Sequence, residues 1–249
     1  MEVSTWLLKY VRCDHVVVFN QAPYRTFYEW GIQRRHTNPY SDARIKAIIT
    51  VSSNALKYLS SMQLNIPIYR LHYFVDPTLF AYTPYEHKKN QLALMTRRNF
   101  DDIEQVMQLL YLRSAKNHLN NYKVKFIHSS TERQVASVLR QSKFFLHFGY
   151  QEGFGIPVLE AMLCGCVVVG YTGFGGDELY SPARAKKVYT LNVLDYVRAI
   201  EDLFTADMHA PALVAKLGTN AHRFAVKNYT QEKYQRELKI IWESIISQF

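Results

Sequence analysis

Two glutamates, Glu152 and Glu160, stand with seven residues between them in the run Glu152-Gly-Phe-Gly-Ile-Pro-Val-Leu-Glu160. A carboxylate can accept two neighbouring O–H donors, which makes Glu160 a candidate for holding a pair of hydroxyls. The glycines Gly149, Gly153 and Gly155 permit a tight turn and a close backbone approach, which puts Glu152 in a loop and Glu160 in the helix that follows. Pro157 suits the first turn of a helix, where its missing N–H would be unpaired in any case. The run therefore presents a helix N-terminus with free N–H groups and partial positive charge, which favours an anionic ligand. Arg97 and Arg98 supply a second source of positive charge directly after an apolar strand over 91–95. A guanidinium binds phosphate through two parallel N–H groups, a better match than diffuse charge.

These residues need a sheet to hold them. The apolar run Phe144-Phe-Leu-His-Phe148 has the length and composition of a strand buried on both faces. A helix follows it through Met162 and ends at Gly165, and 166–169 reads as the next buried strand. Upstream, strands are expected at 91–95 and 123–127, alternating with helices over 101–114 and 132–141. Downstream come a short helix at 177–180, a strand at 187–189 and an amphipathic helix over 193–205. Such alternation implies a parallel sheet covered on both faces, a Rossmann-like lobe. Before it lie three further strands, at 14–19, 47–51 and 68–71. Ser52-Ser-Asn54 caps a helix to about Met62. The segment 24–35 is aromatic and basic, and Asn38-Pro39 marks a turn. The last helix, 231–247, carries Leu238, Ile241, Trp242, Ile245 and Ile246 as a stripe at helical spacing.

The bulk properties narrow the function classes. The chain has 249 residues and 48% apolar content, enough for one large or two small domains. A net charge of +9, from 30 Lys plus Arg against 21 Asp plus Glu, favours anionic partners. That charge is spread along the chain, and no RNA- or DNA-binding motif accompanies it, so nucleic acid is not the expected partner. No apolar run reaches the roughly 18 residues of a membrane span. The first residues lack the basic start and apolar stretch of a signal peptide. Three cysteines, with Cys164 and Cys166 around a turn, fit free thiols in a reducing cytoplasm better than a disulfide scaffold.

The run from Glu152 to Gly165 resembles the E-x7-E signature of retaining GT-B glycosyltransferases of family 4, the glycosyl transferases group 1. The glycine-rich Gly170-Tyr-Thr-Gly-Phe-Gly-Gly176 is similar to a rhamnosyltransferase-like subgroup, and Val75-Asp-Pro-Thr-Leu-Phe80 looks like the segment linking the two lobes of such enzymes. The resemblance implies an α/β, GT-B-like fold: one complete Rossmann-like donor lobe and a partial N-terminal Rossmann-like lobe. It divides the chain into an acceptor-side lobe at 1–78, a nucleotide-sugar donor lobe at 79–228 and a helix at 229–249 packing back on the first lobe. Residues 1–74 resemble only the second half of a family N-terminal lobe, so a fragment or a naturally short form is expected. An unpaired sheet edge at 16–19 is then expected to invite self-association or a partner chain.

The resemblance also assigns roles. Glu152 lies beside the donor sugar as the catalytic carboxylate, and Glu160 holds the ribose. Arg97, Arg98 and the backbone of Gly153, Phe154, Gly155 and Ile156 bind donor. The glycines from Gly173 to Gly176, including Gly175 and Gly176, are by their own backbone freedom candidates for an additional anion nest. The turn His128-Ser-Ser-Thr131 lies where the family holds the base, whereas His128 and His147 themselves read as structural strand ends. No two aspartates lie two apart, so the Asp-x-Asp metal motif is absent. A metal-independent reaction without cofactor is expected. The partners implied are a nucleotide sugar and a glycan or lipid-linked acceptor, with peripheral membrane contact and a homo-oligomer or partner chain as further options. The other reading of the same residues is a non-catalytic nucleotide-sugar-binding module or subunit completed by a partner chain.

Overall fold

The strands form where β-branched and aromatic residues run together, and the computed structural model, which describes residues 7–10, 12–27, 40–96 and 98–248, arranges them in two parallel sheets. The first sheet has the order β1-β2-β3, from Val16–Asn20, Ile45–Thr50 and Ile68–Arg70. The second comprises β4 (Lys89–Met95), β5 (Lys123–Ile127), β6 (Ser142–Glu152), β7 (Val167–Phe174) and β8 (Ala185–Lys187), in the order β5-β4-β6-β7-β8. The α-helices are α1 (Leu7–Tyr10), α2 (Ser53–Ser60), α3 (Phe100–Leu112), α4 (Ser114–Asn117) and α5 (Glu132–Gln141). They continue with α6 (Ile156–Leu163), α7 (Val193–His209), α8 (Pro211–Asn228) and α9 (Gln231–Ile246). The turn expected at 38–39, Arg97 and most of the basic aromatic segment lie outside the described residues.

Alternation along each strand feeds two cores. Ala93, Phe145 and Val168 point to the face covered by α5, α6 and α8, where Leu139, Leu159, Met162, Ala221 and Ala225 are buried. Leu92, Leu94, Phe144, Leu146, Val167 and Val169 point to the other face, against Val106 and Leu110 of α3 and Val197, Ile200 and Phe204 of α7. Local signals begin the helices. Ser52 accepts from Ala55 N at 3.0 Å, and Thr131 and Gln134 form a capping box.

The first sheet is also covered on both faces. Val18, Ile45 and Ile48 pack with Leu59 of α2, while Ala47, Ile49 and Leu71 receive Ile241 and Ile245 of α9. Tyr69 Oη and Ser244 Oγ are hydrogen-bonded at 2.9 Å across that contact. The connection between the sheets is a folded turn: the Asp76 carboxylate accepts from Thr78 N at 2.8 Å, and Phe80 is fully buried.

Four differences from the sequence expectation stand out. β6 runs on to Glu152, so Glu152 ends a strand instead of sitting in a loop. Gly149 pairs with Thr172 and Glu152 with Phe174, so β6 uses three steps where β7 uses two. This bulge is centred on Gln151, whose φ is 52°. β7 likewise extends to Phe174 and absorbs most of the glycine-rich run. Finally, α8 has no counterpart in the sequence reading. A glycine within a helix weakens the propensity signal, and Gly218 is there because a Cβ would lie 2.5 Å from the Gly165 carbonyl oxygen. β8 also begins earlier than expected, at Ala185.

Candidate functional site

The strand order decides where the site lies. From β4 the chain steps outward to β5, then returns across β4 to β6 and continues to β7 and β8. Winding therefore reverses between β4 and β6, which opens a crevice at their carboxyl ends, the usual ligand position of such sheets. Arg98 follows β4, Glu152 closes β6 and α6 begins just beyond. The ends of four neighbouring strands each carry a non-glycine residue with left-handed backbone: Asn99 (φ 50°), Ser129 (44°), Gln151 (52°) and Phe174 (68°). Such conformations are costly and concentrate where a side chain must be presented.

The crevice has two compartments that share Met95 and Pro157. The smaller, of about 20 Å³, is lined by Arg98, His147, Gly149 and Glu152. Arg98 Nη1 lies 3.3 Å from Glu152 Oε1, with the carboxylate side chain only 13% exposed. The larger, of about 440 Å³, runs from Ile156, Pro157 and Glu160 to the turn His128-Ser129-Ser130. α6 starts without a side-chain cap, at Gly155 in left-handed geometry (φ 93°); Val158 N donates back to Gly155 O at 3.0 Å and Pro157 has no N–H, so of the first turn Ile156 and Pro157 line this space. The structure thus brings Arg98, Glu152, Ile156 and Glu160 to one cleft. Arg97 lies outside the described residues.

The glycines behave differently from the expectation. Gly175 N donates to Glu152 O at 3.0 Å and to Gly173 O at 2.9 Å, and Gly176 N donates to Thr172 O at 3.0 Å. Those N–H groups are consumed within the fold, so no anion nest forms at Gly175 and Gly176. A Cβ on Gly153 would sit 1.9 Å from the Gln21 carbonyl oxygen, so the close approach at Gly153 is made by the first sheet's loop and not by a ligand. The Phe154 ring is core, 2% exposed and tilted against Tyr73 and Tyr229.

Other residues hold this geometry, among them Asn99 and Glu178, which the sequence reading passed over. Asn99 Nδ2 donates to Phe148 O at 3.0 Å, tying the loop that bears Arg98 to β6. His147 Nδ1–H donates to Tyr171 O at 2.7 Å, which fixes the ring beneath Gly149. It is structural, as expected, and also lines the smaller compartment. His128 Nδ1 is hydrogen-bonded with Thr96 Oγ1 at 3.2 Å. Glu178 joins the two sheets, accepting from Arg70 Nη2 at 2.5 Å, Tyr229 Oη at 2.9 Å and Ser53 N at 2.9 Å. An isolated glutamate after a glycine run carries no sequence signal for such a role. Tyr24 lies against Phe174 with centroids 5.6 Å apart. Its hydroxyl is pushed up to about 12 by burial, then by the charge of Asp177 and by Tyr58.

Residues 105–224 match the family glycosyl transferases group 1. The matched segment contains Glu152, Glu160 and the loop between them. The chain is 25% identical over 224 residues to an alpha-1,6-glucosyltransferase of Actinobacillus pleuropneumoniae serotype 7 (strain AP76), covering 87% of this chain and 66% of that protein. The fold is that of solved GT-B glycosyltransferases. Sucrose-phosphate synthase of Thermosynechococcus elongatus superposes with a TM-score of 0.69 at 13% identity, over 98% of this chain and 71% of that one. HepE of Anabaena, in complex with UDP-glucose, gives 0.66 at 12% identity, over 92% and 72%. S. aureus TarM, in a complex that includes UDP, gives 0.60 at 15% identity, over 97% and 57%. Among the described residues no helix is long and apolar enough to cross a membrane.

Proposed function

We propose that this chain is a retaining glycosyltransferase of family 4, transferring sugar from a nucleotide-diphosphate donor to a glycan or lipid-linked acceptor without a metal. One juxtaposition carries the reading: Arg98, Glu152 and the opening of α6 flank one compartment, and Glu160 lines a nucleoside-sized cleft beside it. In this reading residues 79–228 form the donor lobe, residues 1–78 the acceptor-side lobe, and residues 229–249 the helix that ties them. The base occupies the turn 128–131, and Glu160 accepts from both ribose hydroxyls. Arg98, with Arg97, and the N–H groups of Gly155 and Ile156 hold the diphosphate and stabilise it as it leaves. Glu152 then faces the sugar, where its charge offsets the oxocarbenium-like transition state, and the acceptor hydroxyl joins from the face the diphosphate departs, its proton passing to the departing phosphate oxygen.

The bound UDP and UDP-glucose in the structural neighbours make UDP-sugars the first donors to try. Thermal-shift and calorimetric screens of UDP-, GDP- and dTDP-sugars in EDTA test the donor site, because selective binding raises Tm by mass action. Release of nucleoside diphosphate in the presence of glycan acceptors tests transfer. Binding of a nucleotide sugar without release would favour the non-catalytic binding module. Absence of all nucleotide-sugar binding would overturn the assignment.

A further inference from the structure

One strand beyond Glu152, at the carboxyl end of β7, stands the exposed ring of Phe174. Phe174 pairs in register with Glu152 across β6 and β7, so it stands one strand further from Arg98 than Glu152 does. The order across the strand ends is therefore Arg98 after β4, Glu152 on β6, then Phe174 on β7. Phe174 is 42% exposed although it ends a strand whose other residues are buried. Its backbone is left-handed, a costly conformation for a bulky residue, which turns the ring out of the sheet's core. The ring meets Tyr24, which comes from the loop after β1 on the opposite sheet, at a tilt of 52°. Tyr58 of α2 backs Tyr24 with centroids 4.9 Å apart. Polar groups rim the pair: Tyr24 Oη donates to Asn54 Oδ1, and Asp177, which bonds Lys187 Nζ at 2.7 Å, is 40% exposed in its side chain.

An aromatic face flanked by a few hydrogen-bonding groups suits one chemistry well. A pyranose has one face of C–H bonds, which stacks on the electron-rich ring face, and a girdle of hydroxyls that reaches polar rims. We infer that Phe174 and Tyr24 form the acceptor subsite and that the acceptor is a pyranoside laid with its C–H face on these rings. The inference rests on the donor reading above, which places the reacting carbon beside Glu152, a strand away from Phe174. It also gives the contact between the two sheets a function: Tyr24, from the loop after β1, completes the shelf.

Saturation-transfer NMR with the methyl glycosides of glucose, galactose, mannose and N-acetylglucosamine tests this without turnover, in the presence of nucleoside diphosphate. At least one glycoside should receive saturation mainly on the C–H groups of one face, and Phe174→Ala should abolish it. Phe174→Trp, which keeps an aromatic face, should retain it. In transfer assays Phe174→Ala should raise the acceptor KM by about five- to tenfold, the loss expected for one aromatic contact. Calorimetric affinity for the nucleoside diphosphate should stay unchanged, which also shows that the variant is folded. Unaltered saturation and acceptor KM in Phe174→Ala would overturn the subsite while leaving the donor reading intact. A chain that binds donor but transfers no saturation to any pyranoside would do the same. Failure of the wild type to bind any nucleotide sugar would instead remove the donor reading on which the subsite depends.

Discussion

Replacing Arg98 with Ala probes the proposed donor site most directly. The guanidinium is about one-third exposed and keeps one Nη 3.3 Å from Glu152 Oε1, so a diphosphate must share it with that carboxylate. A charged hydrogen bond removed from a protein site costs about 1.5–3 kcal/mol. Partial exposure and the shared carboxylate place Arg98 at the low end, about 1.5–2 kcal/mol. That corresponds to a roughly 10- to 30-fold weaker Kd for the nucleoside diphosphate, since each 1.4 kcal/mol is tenfold. Removing the competing charge tests the same arithmetic with opposite sign. Glu152→Gln should leave free nucleoside-diphosphate affinity equal or tighter, because Arg98 is released, yet weaken recognition of the sugar-bearing donor. Isothermal calorimetry in EDTA, with nucleoside diphosphate and sugar nucleotide titrated in parallel, measures all of this. A Kd for Arg98→Ala within twofold of wild type would refute the reasoning. So would loss of wild-type binding on adding EDTA, or equal weakening of both ligands by Glu152→Gln.

Glu160→Ala should weaken free nucleotide and sugar nucleotide by the same factor, about tenfold for the lost hydroxyl contacts, and equal affinities for nucleotides with ribose and with deoxyribose would already contradict its placement. Glu178→Ala breaks bonds to Arg70, Ser53 and Tyr229 at once, which should cost about 2–3 kcal/mol and lower Tm by roughly 4–12 °C; an unchanged melting curve would show that the latch contributes nothing. Stability should also fall in alkali. Burial, aided by Asp177 at Tyr24, pushes Tyr24 and Tyr73 up to about 12, and burial with Asp207 pushes Tyr85 and Tyr122 higher still. Their native values lie above the ordinary 10.0, so between the two the unfolded chain releases protons that the native chain keeps. This stabilisation is complete below pH 10 and is lost as pH rises through the native values. Urea midpoints at pH 8, 10 and 11 should decrease in that order, and a flat series would contradict the burial of these hydroxyls.

The N-terminus of α6 and its glycine–proline entry are written in local sequence, because Gly155 and Pro157 act on their own backbone angles. The alternation of strands and helices is equally local, since Val167-Val-Val or Phe144-Phe-Leu can be satisfied only by burial on both faces. From these the parallel α/β class and the adjacency of Arg98 to a strand end follow without any long-range information. The helix α8 was hidden because Gly218 lowers its propensity, and only the Gly165 backbone, brought close by folding, gives that glycine a reason. Glu152 reads as a loop residue because a bulge cannot be recognised in one strand; it exists only relative to β7. Gly175 and Gly176 look like an anion nest until carbonyls of Glu152, Gly173 and Thr172 arrive to take their N–H groups. The pairing of Arg70 with Glu178 spans 108 positions, and that of Tyr24 with Phe174 links two sheets. Which segments form strands and helices, and where the N-terminus of α6 begins, is thus legible along the chain, since both depend on φ, ψ and burial within a few residues. Which N–H groups are taken up within the fold, and which aromatic and charged side chains face each other, emerges on folding, because both depend on partners that chain closure alone brings within reach.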